Sequence, residues 1–168
     1  MSKNKGFSGT SASRYSLALY ELAEENNSIQ EVEQHTLSII KLISDSVDFN
    51  SFIKDPTSKK EEQFKVIIEI SEKYKLNSLL TKFLSFLVSK KRFFYVEKIL
   101  KDFIETCSKK RGEIKAELIA AKKLTEVEIN NIKEELTKNF SSKIKLNYKH
   151  DTSLIGGLIV QVGSTMVD

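Results

Sequence analysis

The side chains that could do chemistry in this 168-residue chain are two histidines, one cysteine, a glycine pair and a few charged clusters. His35 and His150 are far apart, and neither has a His, Cys or Asp at metal-ligand spacing, so each reads as a surface or rim imidazole. Cys107 falls on the apolar stripe of a helix with no histidine in register, where a thiol behaves as a small hydrophobe rather than a nucleophile. Gly156-Gly157 lacks the Gly-x-Gly-x-x-Gly and Gly-Lys-Ser/Thr patterns that cradle phosphates, and no helix start follows it. A strand bulge or bend suits it better. Glu24-Glu25 and Glu134-Glu135 are neighbours in sequence and do not converge as an acid pair; they read as solvated helix faces. The basic clusters Lys90-Lys91-Arg92 and Lys109-Lys110-Arg111 sit at helix ends, where cations complement the helix dipole. Phe93-Phe94-Tyr95 beside the first could stack bases, but helical spacing sends those rings to different faces. No metal or cofactor is expected, and catalysis is not.

Composition narrows the class further. Hydrophobic content of 40% with 30% charged residues suits a globular protein with a core, and 27 basic against 23 acidic residues leave a net charge of only +4. That balance permits nucleic acid as a partner without arguing for it. No apolar run approaches the roughly 20 residues of a membrane span. Met1 to Ser13 is small and polar, which is not the pattern of a secretory signal. A single cysteine excludes an internal disulfide framework and fits a reducing compartment.

The elements that must position these groups change character along the chain. Residues 1–12 are expected as a flexible tail. Tyr15, Ala18, Leu19, Leu22 and Ala23 then recur at the spacing of one helical face. Ser28-Ile-Gln-Glu31 has capping-box form and opens a helix with Ile29, Val32, Thr36, Ile39 and Ile43 aligned. Val47, Phe49, Phe52 and Ile53 make a short helical connector that Pro56 ends. Ser58-Lys-Lys-Glu61 is a second capping box, leading Phe64, Ile67, Ile68, Ser71 and Tyr74. Asn77 to Lys90 is apolar nearly all round, so this helix is central or faces a partner as well as a core. A long helix from Phe93 to Lys110 follows, and Gly112 closes it.

From there the period becomes two. Ile114, Ala116, Leu118 and Ala120 alternate with charged residues as in a strand. Thr125-Glu-Val-Glu128 caps a helix carrying Ile129, Ile132, Leu136 and Phe140. Ile144, Leu146 and Tyr148 mark a second strand. Leu158, Val160 and Val162 mark a third, and Gly163-Ser164 turns into a further short one. The predicted fold is mainly α: an N-terminal six-helix bundle over residues 13–108, then a small α/β domain over residues 109–168. By themselves the residues describe a two-domain interaction protein, with an RNA-binding bundle or generic helical adaptor as the competing readings.

The order of motifs resembles one family, the delta subunit of F-type ATP synthase, known in mitochondria as the oligomycin-sensitivity-conferring protein. Arg14-Tyr-Ser-Leu-Ala-Leu19 is similar to its opening Arg-Tyr-Ala-x-Ala-Leu. Phe52-Ile53-Lys54-Asp55-Pro56 matches Phe-Leu-x-x-Pro, and Phe83-Leu84-x-x-Leu87 with Arg92 matches Phe-Leu-x-x-Leu and its following Arg. Ala120-Ala121-Lys122-Lys123-Leu124-Thr125 has lysine where the family usually has proline. Asp151-x-Ser153-Leu-Ile-Gly-Gly157, with Val162-Gly163 and Val167-Asp168, is close to the family's Asp-x-x-Leu-Ile-Gly-Gly…Asp signature. The family usually continues beyond that aspartate with a leucine-rich helix, so the C-terminal domain is expected to be either shortened or incomplete.

The resemblance implies a non-catalytic stator subunit joining the catalytic head to the membrane-anchored peripheral stalk, so that proton transport is coupled to ATP synthesis. It implies a place at the cytoplasmic face of a bacterial inner membrane, with membrane association only through the complex and no nucleic-acid partner. An alpha-subunit N-terminal helix would lie in a groove between the first and fifth helices. The expected contact residues are Tyr15, Ala18, Leu19, Leu22, Leu80, Phe83, Leu84 and Leu87. The C-terminal unit would meet the ends of the stalk's b subunits.

Overall fold

The computed structural model of the chain describes residues 9–163 and 165–167. Residues 1–8 of the expected tail, Ser164 of the expected turn and Asp168 of the C-terminal motif lie outside the described residues. Two compact units emerge, the first ending at Cys107 and the second beginning at Ser108.

The first unit contains α1 (Gly9–Glu25), α2 (Ile29–Asp45), α3 (Val47–Lys54), α4 (Lys60–Tyr74) and α5 (Ser78–Ser89). A 3-10 turn, Phe93–Tyr95, then leads into α6 (Val96–Lys110). One apolar cluster joins them: Leu19, Ile43, Leu80, Leu87, Leu100 and Phe103 are each at most 1% exposed. The tail expectation needs correcting at its C-terminal side. Helix α1 starts at Gly9, and Ala12 is fully buried in the core, so packing holds one more turn than the polar composition suggests.

Two expected capping boxes also differ. Asn27 adopts a left-handed conformation (φ 52°), and the Ser28 N–H returns to the Ala23 carbonyl at 2.8 Å, which closes α1. That closure turns the Ser28 hydroxyl back toward the Ala23 carbonyl, so it gives α2 no side-chain cap. Helix α4 begins one register later than Ser58 would set it. Its N-cap is Lys59, whose N–H donates to Glu62 Oε2 at 3.2 Å; a lysine ammonium has no lone pair to complete the reciprocal half. The third forms its N-cap half, with Thr125 Oγ1 accepting from the Glu128 N–H at 3.3 Å, while the Glu128 carboxylate accepts from the Thr125 hydroxyl at 3.2 Å.

The second unit is a mixed four-stranded sheet in the order β2-β1-β3-β4, from β1 (Ile114–Ala120), β2 (Ile144–His150), β3 (Leu158–Val162) and β4 (Thr165–Val167). The crossover helix α7 (Glu126–Phe140) makes β1 and β2 parallel, pairing Ile114 with Ile144 and Ala120 with His150. Strand β3 returns antiparallel, setting Leu118 against Val160. Side chains at period two then put Ala116, Leu118, Val160, Val162 and Ile144 into one core with Leu136 of α7. Gly157 (φ 73°) stands just before β3 instead of bulging within it, so Leu154 and Ile155 belong to a loop.

Candidate docking site

Helix α5 is held at its first residue by Asn77. The Asn77 Oδ1 accepts from the Leu79 N–H at 2.8 Å, satisfying one of the donors that a helix start leaves open. The Asn77 N–H donates to His35 Nδ1 at 2.9 Å, and its amide Nδ2 donates to Glu31 Oε2. His35 is therefore a structural tie between α2 and α5. His150 Nε2 lies 3.2 Å from the Ala121 carbonyl, and Cys107 is buried. Among the described residues no group of three or more His, Cys, Asp or Glu side chains could hold a metal ion.

Helices α1 and α5 run antiparallel. Tyr15 near the start of α1 meets Phe86 near the end of α5, with ring centroids 6.2 Å apart and planes tilted by 53°. At the other end an open depression of about 750 Å³ brings Glu24 and Asn26 beside Asn77 and Ser78. Each helix turns one face into the core and leaves a second apolar strip beside the other helix. On α1 that strip is half-buried Tyr15, exposed Ala18 and Leu22 at 41% exposure. On α5 it is Phe86 at 45% exposure and half-buried Leu79. Lys90 places its ammonium 5.7 Å from the Phe86 ring centre.

The expected contact residues thus divide. Leu19, Leu80 and Leu87 are fully buried, and Phe83 and Leu84 are 5% and 4% exposed; all five are core. A partner could not reach them without opening the unit. Tyr15, Ala18 and Leu22 do line the surface strip. Phe86 is not among the expected contact residues because α5 is apolar nearly all round, so the apolar pattern alone does not single out its outward residue. Four-residue spacing from Lys82 to Phe86 to Lys90, one mostly polar stripe with a lone aromatic, was the available signal.

The rings beside the basic cluster near α5 do not share one open face, although Phe94 is 41% exposed. Phe93 is 3% exposed, and Phe94 packs edge-on to Tyr95 at 5.2 Å with the Lys54 ammonium over its face at 4.9 Å. In the second unit Glu113 accepts from Arg111 Nε at 2.9 Å and from Ser108 Oγ at 2.7 Å, and its carboxyl is held below the usual range, chiefly by Arg111. Asp151 accepts from the Ser153 N–H and hydroxyl at 2.9 and 2.6 Å and is lowered in the same direction by that residue. Both are local ties rather than reacting groups. Among the described residues no helix is long and apolar enough to cross a membrane.

The family model for the ATP synthase delta (OSCP) subunit matches residues 12–168. The chain belongs to that family. It is 76% identical over 168 residues to the ATP synthase subunit delta of Pelagibacter ubique (strain HTCC1062), covering 100% of this chain and 91% of that protein. It is 32% identical to the subunit of the same name from Roseobacter denitrificans (strain ATCC 33942 / OCh 114), covering 100% of this chain and 90% of that one. Its fold is similar to a chain in the cryo-EM structure of the Toxoplasma gondii mitochondrial ATP synthase hexamer, with a TM-score of 0.76 at 19% identity over 91% of this chain and 85% of the other.

Proposed function

We propose that this chain is the non-catalytic stator subunit of an F-type ATP synthase, linking the catalytic head to the peripheral stalk so that proton transport is coupled to ATP synthesis. It works at the cytoplasmic face of a bacterial inner membrane, held there through the complex. Helices α1 to α6 act as a six-helix bundle that receives an alpha-subunit N-terminal helix, and the C-terminal unit meets the b-subunit ends of the stalk. The observation that carries the head contact is the strip of Tyr15, Ala18, Leu22 and Phe86 in a chain of this family.

The mechanism needs no bond to break. A stator holds by affinity, and a nanomolar contact corresponds to about −12 kcal/mol. Fully burying a leucine or phenylalanine side chain contributes about 1.5–3 kcal/mol. Leu22 and Phe86 each have somewhat under half of their surface left to cover, so desolvated anchors of this kind supply part of the grip and the partner's own apolar face supplies more.

Titrating the full chain with the cognate alpha-subunit N-terminal peptide by calorimetry tests the groove. Phe86→Asp and Leu22→Asp should each weaken binding at least about tenfold, since a carboxylate would be desolvated without a partner, while thermal unfolding stays unchanged. Unaltered affinity in both variants removes the groove assignment. Failure of the tagged chain to co-purify with ATP synthase subunits removes the stator reading itself.

A further inference from the structure

We infer that the groove between α1 and α5 sets the direction of the helix it holds: the occupant's acidic end lies over Arg14 and Lys90, and its basic end over Glu21 and Glu25. This rests on the reading of the groove as a site for an amphipathic helix and specifies that helix's charge pattern and polarity. Because α1 and α5 are antiparallel, the charges on their rims collect by sign. Arg14, one turn from Ala18 on the same face of α1, lies at the end where Tyr15 meets Phe86 and where the Lys90 ammonium sits over that ring. Glu21 and Glu25 continue the α1 rim toward the other end. There Glu24 and Glu31 border the open depression with Asn26 and Asn77, and no lysine or arginine is among the residues lining it. Lys82 lies midway along the α5 rim, facing the middle of an occupant, where it favours neither direction.

The two ends do not cancel. Arg14 and Glu25 are eleven residues apart on one helix, about 17 Å at 1.5 Å per residue, roughly twice the ~8 Å screening length at physiological salt. An occupant therefore meets two separate fields of opposite sign. Helix dipoles do not reverse this. The α1 and α5 dipoles oppose each other across the groove, and the occupant's own is equivalent to about half a charge at each end, against whole side-chain charges. Helices commonly carry acidic residues in the first turn and basic ones in the last; an occupant of that kind runs parallel to α1.

The test uses the full chain, isotopically labelled, and the cognate alpha-subunit N-terminal peptide with a nitroxide at its acidic end. Broadening of the Tyr15 and Lys90 resonances, with Asn26 and Ser78 sharp, is expected. Broadening at Asn26 and Ser78, or equally at both ends, overturns the direction while leaving the groove occupied. A cognate peptide whose charges are not split between its ends overturns it as well. Reversing both acidic rim residues, Glu21→Lys with Glu25→Lys, should weaken binding about tenfold at low salt, with the loss fading as salt rises; a salt-independent or absent loss counts against the proposal. If the unmodified peptide does not bind at all, the occupant and the groove reading fall together, which the broadening experiment distinguishes from a wrong direction.

Discussion

The two units of this chain keep their spare apolar surface in different kinds of place. In the helical unit single exposed residues, Leu37, Val47 and Ile68, dot α2, α3 and α4, but a paired patch lies on α1 and α5, helices whose opposite faces are anchored by Leu19, Leu80 and Leu87 in the core. In the sheet unit Val127 stands alone on α7 at 68% exposure, and the clustered area lies on a loop: Ile155 is fully exposed, with Leu154 and Leu158 beside it around an opening of about 330 Å³ bordered by Leu124 and the glycine pair. A side chain on a packed helix meets a partner already ordered, whereas a loop must lose freedom on binding. Exposed apolar area alone therefore does not define a docking surface. Area gathered between two anchored helices is what the proposed docking surface rests on, and the strip beside Phe86 has that form while the loop at Ile155 does not.

The largest effects should come from breaking each anchor separately. Leu87→Ala in the first unit and Leu118→Ala in the second each remove a fully buried side chain and should cost about 2–5 kcal/mol. Exposed Phe86→Ala should cost less than about 1 kcal/mol. Urea unfolding followed by amide exchange should show each core variant loosening its own unit; a loss spread equally over both would dissolve the contrast between them.

A smaller, opposite change is expected within the helical core. Thr36 is fully buried on α2 and its Oγ1 has no hydrogen-bond partner, so Thr36→Val should stabilise the protein by about 1 kcal/mol. A lower melting temperature for this variant would mean that the hydroxyl is satisfied after all.

The smallest effect concerns Glu113, the residue just before β1 in the sheet unit. Arg111, then Ser108, hold the Glu113 carboxyl below its ordinary value of 4.5. A depressed folded-state value contributes stability that is complete above the unfolded value and disappears as the pH falls through the folded one. The sheet unit should therefore weaken slightly as the pH drops below about 4.5, and Glu113→Gln should flatten that part of the curve. An unchanged acid profile in the variant would show that Arg111 and Ser108 do not hold the carboxylate.

Much of the local structure could be read before any coordinates. Val32, Thr36, Ile39 and Ile43 form one stripe at helical spacing, and all four are buried on α2. Ala116, Leu118 and Ala120 alternate, and all three face the sheet core. The helix starts were less legible. Ser28 has the right neighbours for a capping box, yet its hydroxyl serves the helix before it, because the closure of α1 reaches the same residue first. Ser58 likewise yields its place to Lys59.

The sequence by itself determined periodicity, and with it the element types, the change from helices to strands and the absence of any motif for catalysis, since those follow from side-chain spacing along one chain. Only the tertiary structure decided which apolar residues of α5 are core and which is surface. Leu80, Phe83, Leu84 and Leu87 are as apolar as Phe86, and only the Lys82–Phe86–Lys90 stripe hints at the difference. What separates them is which side of α5 the neighbouring helices cover, and burial against non-local neighbours is a property that no single helix carries.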